Sequence, residues 1–294
     1  MLSLYCGAGG IDEGLRQSGI KTTLAIDIWK DASETFKLNH PDSEVITGKV
    51  SDYLESFSDF DIVVGGPPCP DFSRCNPNRK FNLCEVNNFW SVVDKIKPKF
   101  YLMENVQDMK TFLFKKHYLV DVADYGVAQN RLRCIFTNLE LPKQTHQKYD
   151  NYNSTLFNLE KKKWLGVKDV LNLQENEKYT ISMNFLGRNA KELTRSVNQP
   201  IQTITTFDTF RLVENKIYSK KYHDQPINKK QGRKLRLDEL KLLQGFNEKY
   251  VFTGTEKSQR KQIGNAVPPP LIKAFFSQII LTQHNHSTVI GDKI

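Results

Sequence analysis

The chain contains 294 residues, of which 39% are hydrophobic and 26% are charged, a composition typical of a globular protein with a substantial buried core. Its apolar runs fall short of the roughly 20 residues that span a bilayer, and its first residues lack the basic region and cleavage site of a signal peptide. Five cysteines without a CxxC pair argue against a disulfide framework and a zinc site. We therefore expect a cytoplasmic protein that binds no metal.

The net charge of +9 suggests a polyanionic partner. The excess is concentrated between Lys216 and Arg236, where eight basic residues accompany one acid. Such a run is either a solvated loop or a surface that contacts phosphates. Of these two readings we favour phosphate contact.

The first 140 residues alternate between strand-like and helix-like segments. Strands are predicted over 1–6, 22–28, 60–66 and 99–106, and helices over 11–19, 30–40 and 87–96. Strands separated by helices of this length favour an α/β fold, in which a doubly wound, mostly parallel sheet carries helices on both faces.

The second half of the chain has a different pattern. It is more polar, with short Thr- and Ile-rich strands predicted over 178–185 and 200–207. Helices are then predicted over 236–246 and, after a loop, over 268–283, which return the chain to its first domain. The predicted division is a larger domain from 1–141 and 232–285, a smaller strand-rich domain from 142–231, and a frayed tail from 286–294.

Several special residues follow the predicted strands, at the carboxyl edge where parallel sheets bind ligands. The stretch "LSLYCGAGG" places Gly7, Gly9 and Gly10 before a helix, where backbone N–H groups can approach a ligand closely. Asp27, 17 residues beyond Gly10, ends the second strand, where an acid can hold a ribose. The spacing is not GxGxxG, which disfavours a dinucleotide. The alternative is a tight turn and a surface acid.

The stretch "GGPPCPDFS" sets one thiol, Cys69, among prolines after the third strand, and "MENV" places Glu104 at the end of the next. Without an obvious His partner, this thiol is unlike that of a cysteine protease. A carboxylic acid beside a thiolate can instead activate a weakly electrophilic ring. The alternative is a buried cysteine that acts as a small hydrophobic residue, which the setting between prolines disfavours.

Six stretches together resemble the C5-cytosine-specific DNA methyltransferases of bacteria and phages. In the expected order they are "LSLYCGAGG", "GGPPCPDFS", "MENV", "YGVAQNRLR", "RKLRLDELKLLQGF" and "RKQIGNAVPPPL". The resemblance covers nearly all of the chain. It implies the class I S-adenosylmethionine-dependent methyltransferase fold, with 142–231 as the target-recognition domain. It also implies S-adenosylmethionine as cofactor, double-stranded DNA as partner, and a monomer in the cytoplasm of a prokaryote or phage-infected cell, as in restriction–modification systems.

The resemblance also implies residue roles. Cys69 would add to C6 of a cytosine flipped out of the duplex, with Glu104 holding the ring and Asn105 bracing the cysteine loop. Arg131 and Arg133 would hold the flipped base and that loop. The implied cofactor contacts are Tyr5, Gly7, Ala8, Gly9, Gly10, Asp27, Ile28, Gly48, Lys49, Gly66, Pro67, Asn265 and Ala266. The implied nucleic-acid contacts are Ser73, Gln129, Arg188, Arg211, Lys220, Lys229, Lys230 and Arg233.

Some positions depart from the family pattern. Pro70 stands where Gln usually follows the cysteine, and Lys49 stands where an Asp contacts the adenine amine. Asp27 replaces a Glu that holds the ribose, and Tyr5 replaces a Phe against the adenine. Only 18 residues, 107–124, separate "ENV" from "YGV", so we expect one helix of the catalytic domain to be missing.

Three alternatives stay open. A tRNA-directed member of the same family would usually carry a CFT motif, which this sequence lacks. A catalytically silent relative is favoured by Lys49 and the short loops, but the intact Cys69, Glu104, Arg131 and Arg133 disfavour it. A nicotinamide oxidoreductase is disfavoured by the glycine spacing and by the unexplained thiol.

Overall fold

The computed structural model describes residues 1–68, 82–148, 160–173, 179–183, 193–207, 210–214 and 232–289. Its strands are β1 (Leu2–Leu4), β2 (Leu24–Asp27), β3 (Glu44–Thr47), β4 (Ile62–Gly65), β5 (Phe100–Val106), β6 (His117–Asp121), β7 (Leu132–Thr137), β8 (His146–Gln147), β9 (Lys162–Lys163), β10 (Tyr179–Met183), β11 (Leu193–Ser196), β12 (Phe210–Glu214) and β13 (Arg233–Lys234). Its α-helices are α1 (Gly10–Arg16), α2 (Lys30–Asn39), α3 (Cys84–Ile96), α4 (Val167–Leu171), α5 (Leu237–Leu243), α6 (Glu256–Asn265) and α7 (Pro269–Val289). Within the described ranges, none of these helices is long and apolar enough to cross a membrane.

The larger sheet has seven strands in the order β3-β2-β1-β4-β5-β7-β6. Strands β1 to β5 run parallel, and β7 lies antiparallel between β5 and β6. Parallel strands covered on both faces are apolar throughout, as in the fully buried Leu2 and Leu4 of β1. The predicted α/β fold with a mostly parallel sheet is confirmed. The strand order reverses between β1 and β4, and such a switch point opens a crevice at the carboxyl edge.

The two faces of this sheet belong to separate hydrophobic cores. Val63 of β4 packs in one core with Phe89 of α3. Val64, the next residue, packs in the other core with Leu15 of α1 and Phe275 of α7. Because successive side chains of a strand point to opposite faces, β4 supplies both cores. Helix α7 thereby holds the C-terminal segment against α1.

A smaller antiparallel sheet has the order β11-β10-β12-β13. Its apolar cluster combines Ile181 and Phe210 of this sheet with Ala8 and Ile263 from the parts of the chain next to the larger sheet. The packing between the two sheets is thus continuous, and the domain division at 141 and 231 stays a prediction.

Some local predictions differ from the structure. The loop predicted after 246 contains helix α6, which begins where the Thr255 hydroxyl accepts a hydrogen bond from the N–H of Ser258. The strand predicted over 200–207 is absent from these described residues except for one bridge between Gln129 and Ile201. The pairing ends there because the backbone of Ile204 bonds instead to the side chains of Gln129 and Arg131. Helix α7 also runs to Val289, past the predicted start of the tail.

The short connection 107–124 agrees with the missing helix expected from the sequence. It contains two 3₁₀ turns, Gln107–Thr111 and Val122–Tyr125, on either side of β6, and no α-helix among these fully described residues. Phe114 and Leu119 are exposed in this connection.

Candidate active site

The turn after β1 is a glycine loop that packs closely on one side and is open on the other. A Cβ on Gly10 would lie 2.3 Å from the carbonyl oxygen of Val267, and a Cβ on Gly9 would lie 2.6 Å from the hydroxyl of Tyr250. Gly7 and Gly9 have φ angles of 52° and 81°, which favour glycine. Apart from its chain neighbours, no atom of the residues that the structure describes lies within 4 Å of a Cβ built on Gly7. The loop therefore has room for a ligand at Gly7.

Asp27 ties the end of β2 to this loop. Its Oδ2 accepts a hydrogen bond from the N–H of Gly7, and its Oδ1 accepts one from the N–H of Trp29, both at 2.8 Å. Burial raises the pKa of Asp27, and the two N–H donors oppose that rise. The N–H of Gly48 donates to the Asp27 carbonyl at 3.0 Å, and the next side chain, Ile28, is 64% exposed. The ends of β1, β2 and β3 thus meet at Asp27, whose carboxylate binds Gly7 and whose backbone carbonyl binds Gly48.

Tyr5 and the C-terminal segment complete the surroundings of the loop. The Tyr5 hydroxyl donates to Oε2 of Glu85 at 2.7 Å, a residue that the sequence analysis missed because an exposed-looking acid in a helix carries no motif. The Tyr250 hydroxyl donates to the Ala8 carbonyl at 2.5 Å. Ala266 is buried against Gly10. Two other predicted cofactor contacts, Lys49 and Asn265, are exposed.

Glu104 and Arg133 form a largely buried ion pair at the end of β5. Glu104 Oε1 lies 2.9 Å from Nε of Arg133, and the two side chains are 11% and 13% exposed. Antiparallel pairing sets Glu104 opposite Ile135, so Arg133, two residues along β7, is its diagonal neighbour on the same face. The register of β5 and β7 therefore creates the pair.

The Glu104 carboxylate lies beside the chain that leads into "PPCP". A Cβ on Gly66 would be 3.7 Å from Glu104 Oε2, and Asn105 Nδ2 donates to the Pro67 carbonyl at 3.2 Å. Burial, with the nearby charge of Glu104 as the next cause, raises the pKa of Cys134 to about 12, so this thiol is not ionised. The Glu104 carboxylate can form hydrogen bonds to a polar ring that binds against it.

Gln129 belongs to a buried contact region between β7 and the smaller sheet. We define the junction as residues 129–131, 200–205, 244 and 264–266. Gln129 is fully buried; its Nε2 donates to Gln244 Oε1 at 2.6 Å, and its Oε1 accepts from the Ile204 N–H at 2.8 Å. Gln244 in turn donates to the Ala266 carbonyl at 2.6 Å. The prediction that Gln129 contacts nucleic acid is therefore wrong, because its amide is enclosed and bonded within the protein.

Arg131 also binds within the junction. It is 3% exposed, and its guanidinium donates to the carbonyls of Ile204 and Gly264, each at 3.0 Å. These two guanidinium contacts are with backbone carbonyls, whereas the Arg133 guanidinium contacts the carboxylate of Glu104. The family resemblance implies one joint role for the two arginines, but in the structure they contact different groups.

The basic run predicted to contact phosphates is partly neutralised by acids that follow it. Arg233 forms two hydrogen bonds to Glu239, at 2.7 and 2.6 Å, and Arg236 pairs with Asp238 at 3.1 Å. Glu239 holds the Arg233 guanidinium, whose side chain is 44% exposed, and the contact of Arg233 with nucleic acid stays a prediction. Arg211 is half-buried and donates to the carbonyl of residue 232 at 3.1 Å.

Other predicted site residues lie outside the described residues. They are Cys69, Ser73, Arg188, Lys220, Lys229 and Lys230. Among the residues that are described, no group of three or more His, Cys, Asp and Glu side chains is placed to hold a metal ion.

The chain is similar to known proteins in sequence and in fold. A family model described as C-5 cytosine-specific DNA methylase matches residues 1–281. The Type II methyltransferase M1.HphI of Haemophilus parahaemolyticus is 24% identical over 324 residues, covering 97% of this chain and 87% of that protein. The Type II methyltransferase M.HindV of Haemophilus influenzae is 26% identical over 308 residues, covering 95% of each. A crystal structure described as a DNA modification methyltransferase encoded within an E. coli prophage has a fold similar to this chain, with a TM-score of 0.64, 18% identity and coverage of 96% of this chain and 99% of that one.

Proposed function

The chain belongs to the C-5 cytosine-specific DNA methylase family, and we propose that the carboxyl edge of its larger sheet transfers a methyl group from S-adenosylmethionine to C5 of a cytosine in DNA. As a member of that family it is a DNA cytosine-5 methyltransferase. The observation that carries the assignment of residues is the Glu104–Arg133 pair, with Oε1 and Nε at 2.9 Å, beside the chain that enters the cysteine stretch.

Glu104 would hold the target ring. Its carboxyl can accept a hydrogen bond from the exocyclic amine of cytosine and, when it carries a proton, donate to N3. Arg133 holds Oε1 of the carboxyl, and Oε2 lies next to Gly66. Groups that are already oriented toward developing charge stabilise it without reorganisation. The ring must leave the duplex to reach this buried carboxyl.

Cys69 would be the nucleophile. Addition of its thiolate to C6 forms a sulfur–carbon bond, breaks the aromaticity of the ring and makes C5 electron-rich. C5 would then take the methyl group of S-adenosylmethionine, whose methyl–sulfur bond breaks to leave S-adenosylhomocysteine. A base would then remove the C5 proton so that its electron pair re-forms the C5–C6 double bond and expels the thiolate. Asn105, whose amide holds the Pro67 carbonyl at 3.2 Å, would brace the approach to this residue.

The glycine loop fits S-adenosylmethionine, which when bound supplies a methyl group on a positively charged sulfur. Gly7 has open space above its backbone, which suits a ligand that lies against the loop. Asp27 retains lone pairs for ribose hydroxyls beside its bonds to Gly7 and Trp29. The exposed Ile28 and the ring of Tyr5 would flank the purine. The other cofactor positions implied by the resemblance stay predictions.

Double-stranded DNA is the proposed partner of a monomeric enzyme, and the smaller sheet is the proposed reader of the target sequence. Relatives named Type II methyltransferases support a role in modification of DNA beside a restriction enzyme. Because Arg233 and Arg236 are paired with acids, we expect the remaining lysines of the basic run to supply the phosphate contacts.

Replacement of the nucleophile tests the proposal directly. Cys69→Ser should abolish methyl transfer to duplex DNA while binding of S-adenosylmethionine and DNA persists. The matched control is Cys84→Ser, which removes an exposed thiol at the start of α3 and should leave the rate unchanged. Turnover by Cys69→Ser would reject the assigned nucleophile, and an inactive wild type would favour the catalytically silent alternative.

Trapping of the adduct tests the chemistry separately. Duplex DNA that contains 5-fluorocytosine should form a covalent complex with the wild type in the presence of S-adenosylmethionine, because fluorine cannot leave as the C5 proton does. The Cys69→Ser variant should form none. Parallel incubations with genomic DNA and with tRNA, followed by base-resolution mapping of 5-methylcytosine, would identify the substrate and the recognition sequence.

A further inference from the structure

Tyr5 is held by a side chain from a distant helix. Its hydroxyl lies 2.7 Å from Oε2 of Glu85 and 3.1 Å from the backbone carbonyl of the same residue, 80 positions along the chain. Glu85 is in the first turn of α3, and Asn88 donates to the same Oε2 at 3.3 Å. The bond therefore joins the residue that begins the glycine loop to the start of α3.

The hydroxyl has one proton to donate, and the carboxylate is the stronger of its two acceptors. Burial, with Glu85 as the next cause, raises the pKa of Tyr5, so the phenol stays protonated and remains a donor. Tyr5 also has a φ of 53°, a left-handed backbone conformation that is uncommon for a residue with a large side chain. The hydrogen bond at the far end of the ring fixes the position of the side chain.

A phenylalanine at this position could not make the bond. The bond therefore depends on the tyrosine hydroxyl of this chain, at a position where the family pattern usually has Phe. Glu85 is half-buried, which keeps the bond partly shielded from water and therefore stronger than a fully exposed one.

We propose that Glu85 is a positioning residue for S-adenosylmethionine, which it affects by fixing the ring of Tyr5 at the wall of the cofactor site. This rests on the proposed function, which assigns the glycine loop to that cofactor. A ring that is already oriented loses little rotational freedom when the cofactor binds, and such pre-organisation strengthens binding. Loss of the bond should therefore raise the KM for S-adenosylmethionine and leave kcat and DNA affinity unchanged.

A double-mutant cycle tests the proposal. Tyr5→Phe should raise the KM for S-adenosylmethionine about five-fold, in the range expected for loss of a hydrogen bond to a charged group in a half-exposed setting. Glu85→Ala should raise it somewhat less, because the backbone carbonyl at 3.1 Å remains as an acceptor. The double variant should be no worse than Tyr5→Phe alone, since each removes the same interaction. Glu85→Gln keeps an acceptor oxygen and should restore nearly wild-type binding.

Tyr101→Phe is the matched control, because Tyr101 lies in β5 and packs edge-on against Trp90. The KM of this variant for S-adenosylmethionine should equal that of the wild type. Binding of S-adenosylhomocysteine by calorimetry at low temperature measures affinity independently of turnover and of altered stability. Equal affinities in the wild type, Tyr5→Phe and Glu85→Ala would overturn the proposal, as would strictly additive effects in the double variant. A wild type that binds no S-adenosylmethionine would instead overturn the proposed function itself.

Discussion

Polar groups are used in opposite ways at the carboxyl edge of the larger sheet and in the junction. At the edge, Glu104 and Arg133 pair and the backbone of Gly7 faces open space, so these groups can still bind a ligand. In the junction, Gln129 and Gln244 are both fully buried and bonded to each other. Buried polar groups are stable when every partner is supplied from within the protein. The comparison separates residues that can take part in chemistry from residues that hold the chain in place.

Two arginines of one motif illustrate the difference. Arg133 lies within β7 and its side chain shares a face with Glu104, whereas Arg131 precedes the strand and binds the carbonyls of Ile204 and Gly264. Their spacing in the motif is the same as that of two residues on one strand face. Strand β7 begins between them, at Leu132, so only Arg133 follows the alternation of a strand face.

The largest effect should come from the edge. Glu104→Gln keeps the shape of the side chain but removes its charge and its acidic proton, so we expect single-turnover methyl transfer to slow by about 10²–10³-fold. Binding of S-adenosylmethionine should change little, because the glycine loop is untouched. A rate within three-fold of the wild type would show that Glu104 is not the group that holds the target ring.

A junction variant should instead lose stability. Gln129→Leu leaves the Ile204 N–H and the Gln244 oxygen without their partner, which should cost about 3 kcal/mol of unfolding free energy and lower Tm by about 6–10 °C. The folded enzyme should retain kcat at 20 °C. Calorimetry and initial rates measure the two effects, with Gln107→Leu at a half-exposed position as control. A normal Tm with a lost rate would reverse the assignment of regions.

pH should affect the start of α1, which follows the glycine loop, more than the junction, because a buried carboxyl lies there and the junction amides do not titrate. Asp12 of α1 accepts hydrogen bonds from Ser3 and Thr22, and burial raises its pKa to about 6. A carboxyl whose pKa is higher when folded stabilises the protein at low pH and loses that contribution as pH rises from about 4 to 6. This rise in the pKa of Asp12 corresponds to a loss of about 3 kcal/mol.

Asp12→Asn sharpens this pH prediction. The amide has the shape of the carboxyl but no charge to bury, so denaturant unfolding should show a flatter dependence between pH 4 and 6 than in the wild type. Its stability at pH 8 should equal or exceed that of the wild type. Identical pH profiles of the two proteins would mean that Asp12 does not titrate in this range.

The smallest effect should come where the two regions meet. Tyr250→Phe removes the hydroxyl that binds the Ala8 carbonyl at 2.5 Å and should cost about 1 kcal/mol of stability. It should also raise the KM for S-adenosylmethionine about two- to three-fold, because the glycine loop loses one of its supports. An unchanged KM would mean that the Tyr250 hydroxyl contributes to stability alone.

Local patterns of the sequence determined most of the larger sheet. The apolar runs that became β1, β2, β4 and β5 are buried on both faces, and helices between them require a parallel order. Glycines at positions 7, 9 and 10 and acids at 27 and 104 then mark the carboxyl edge, because strand ends of a parallel sheet meet there. These features depend on neighbours in the chain, which a single sequence displays.

Tertiary structure alone decided the contacts between distant segments. Nothing in the residue order near Gln129 shows that its amide meets Gln244, 115 positions away, and the same holds for Tyr5 and Glu85. A polar side chain reads alike in sequence whether it faces a ligand, solvent or another buried amide. Its role depends on which groups the packing of helices and sheets brings within hydrogen-bond distance, and that is a property of the whole fold.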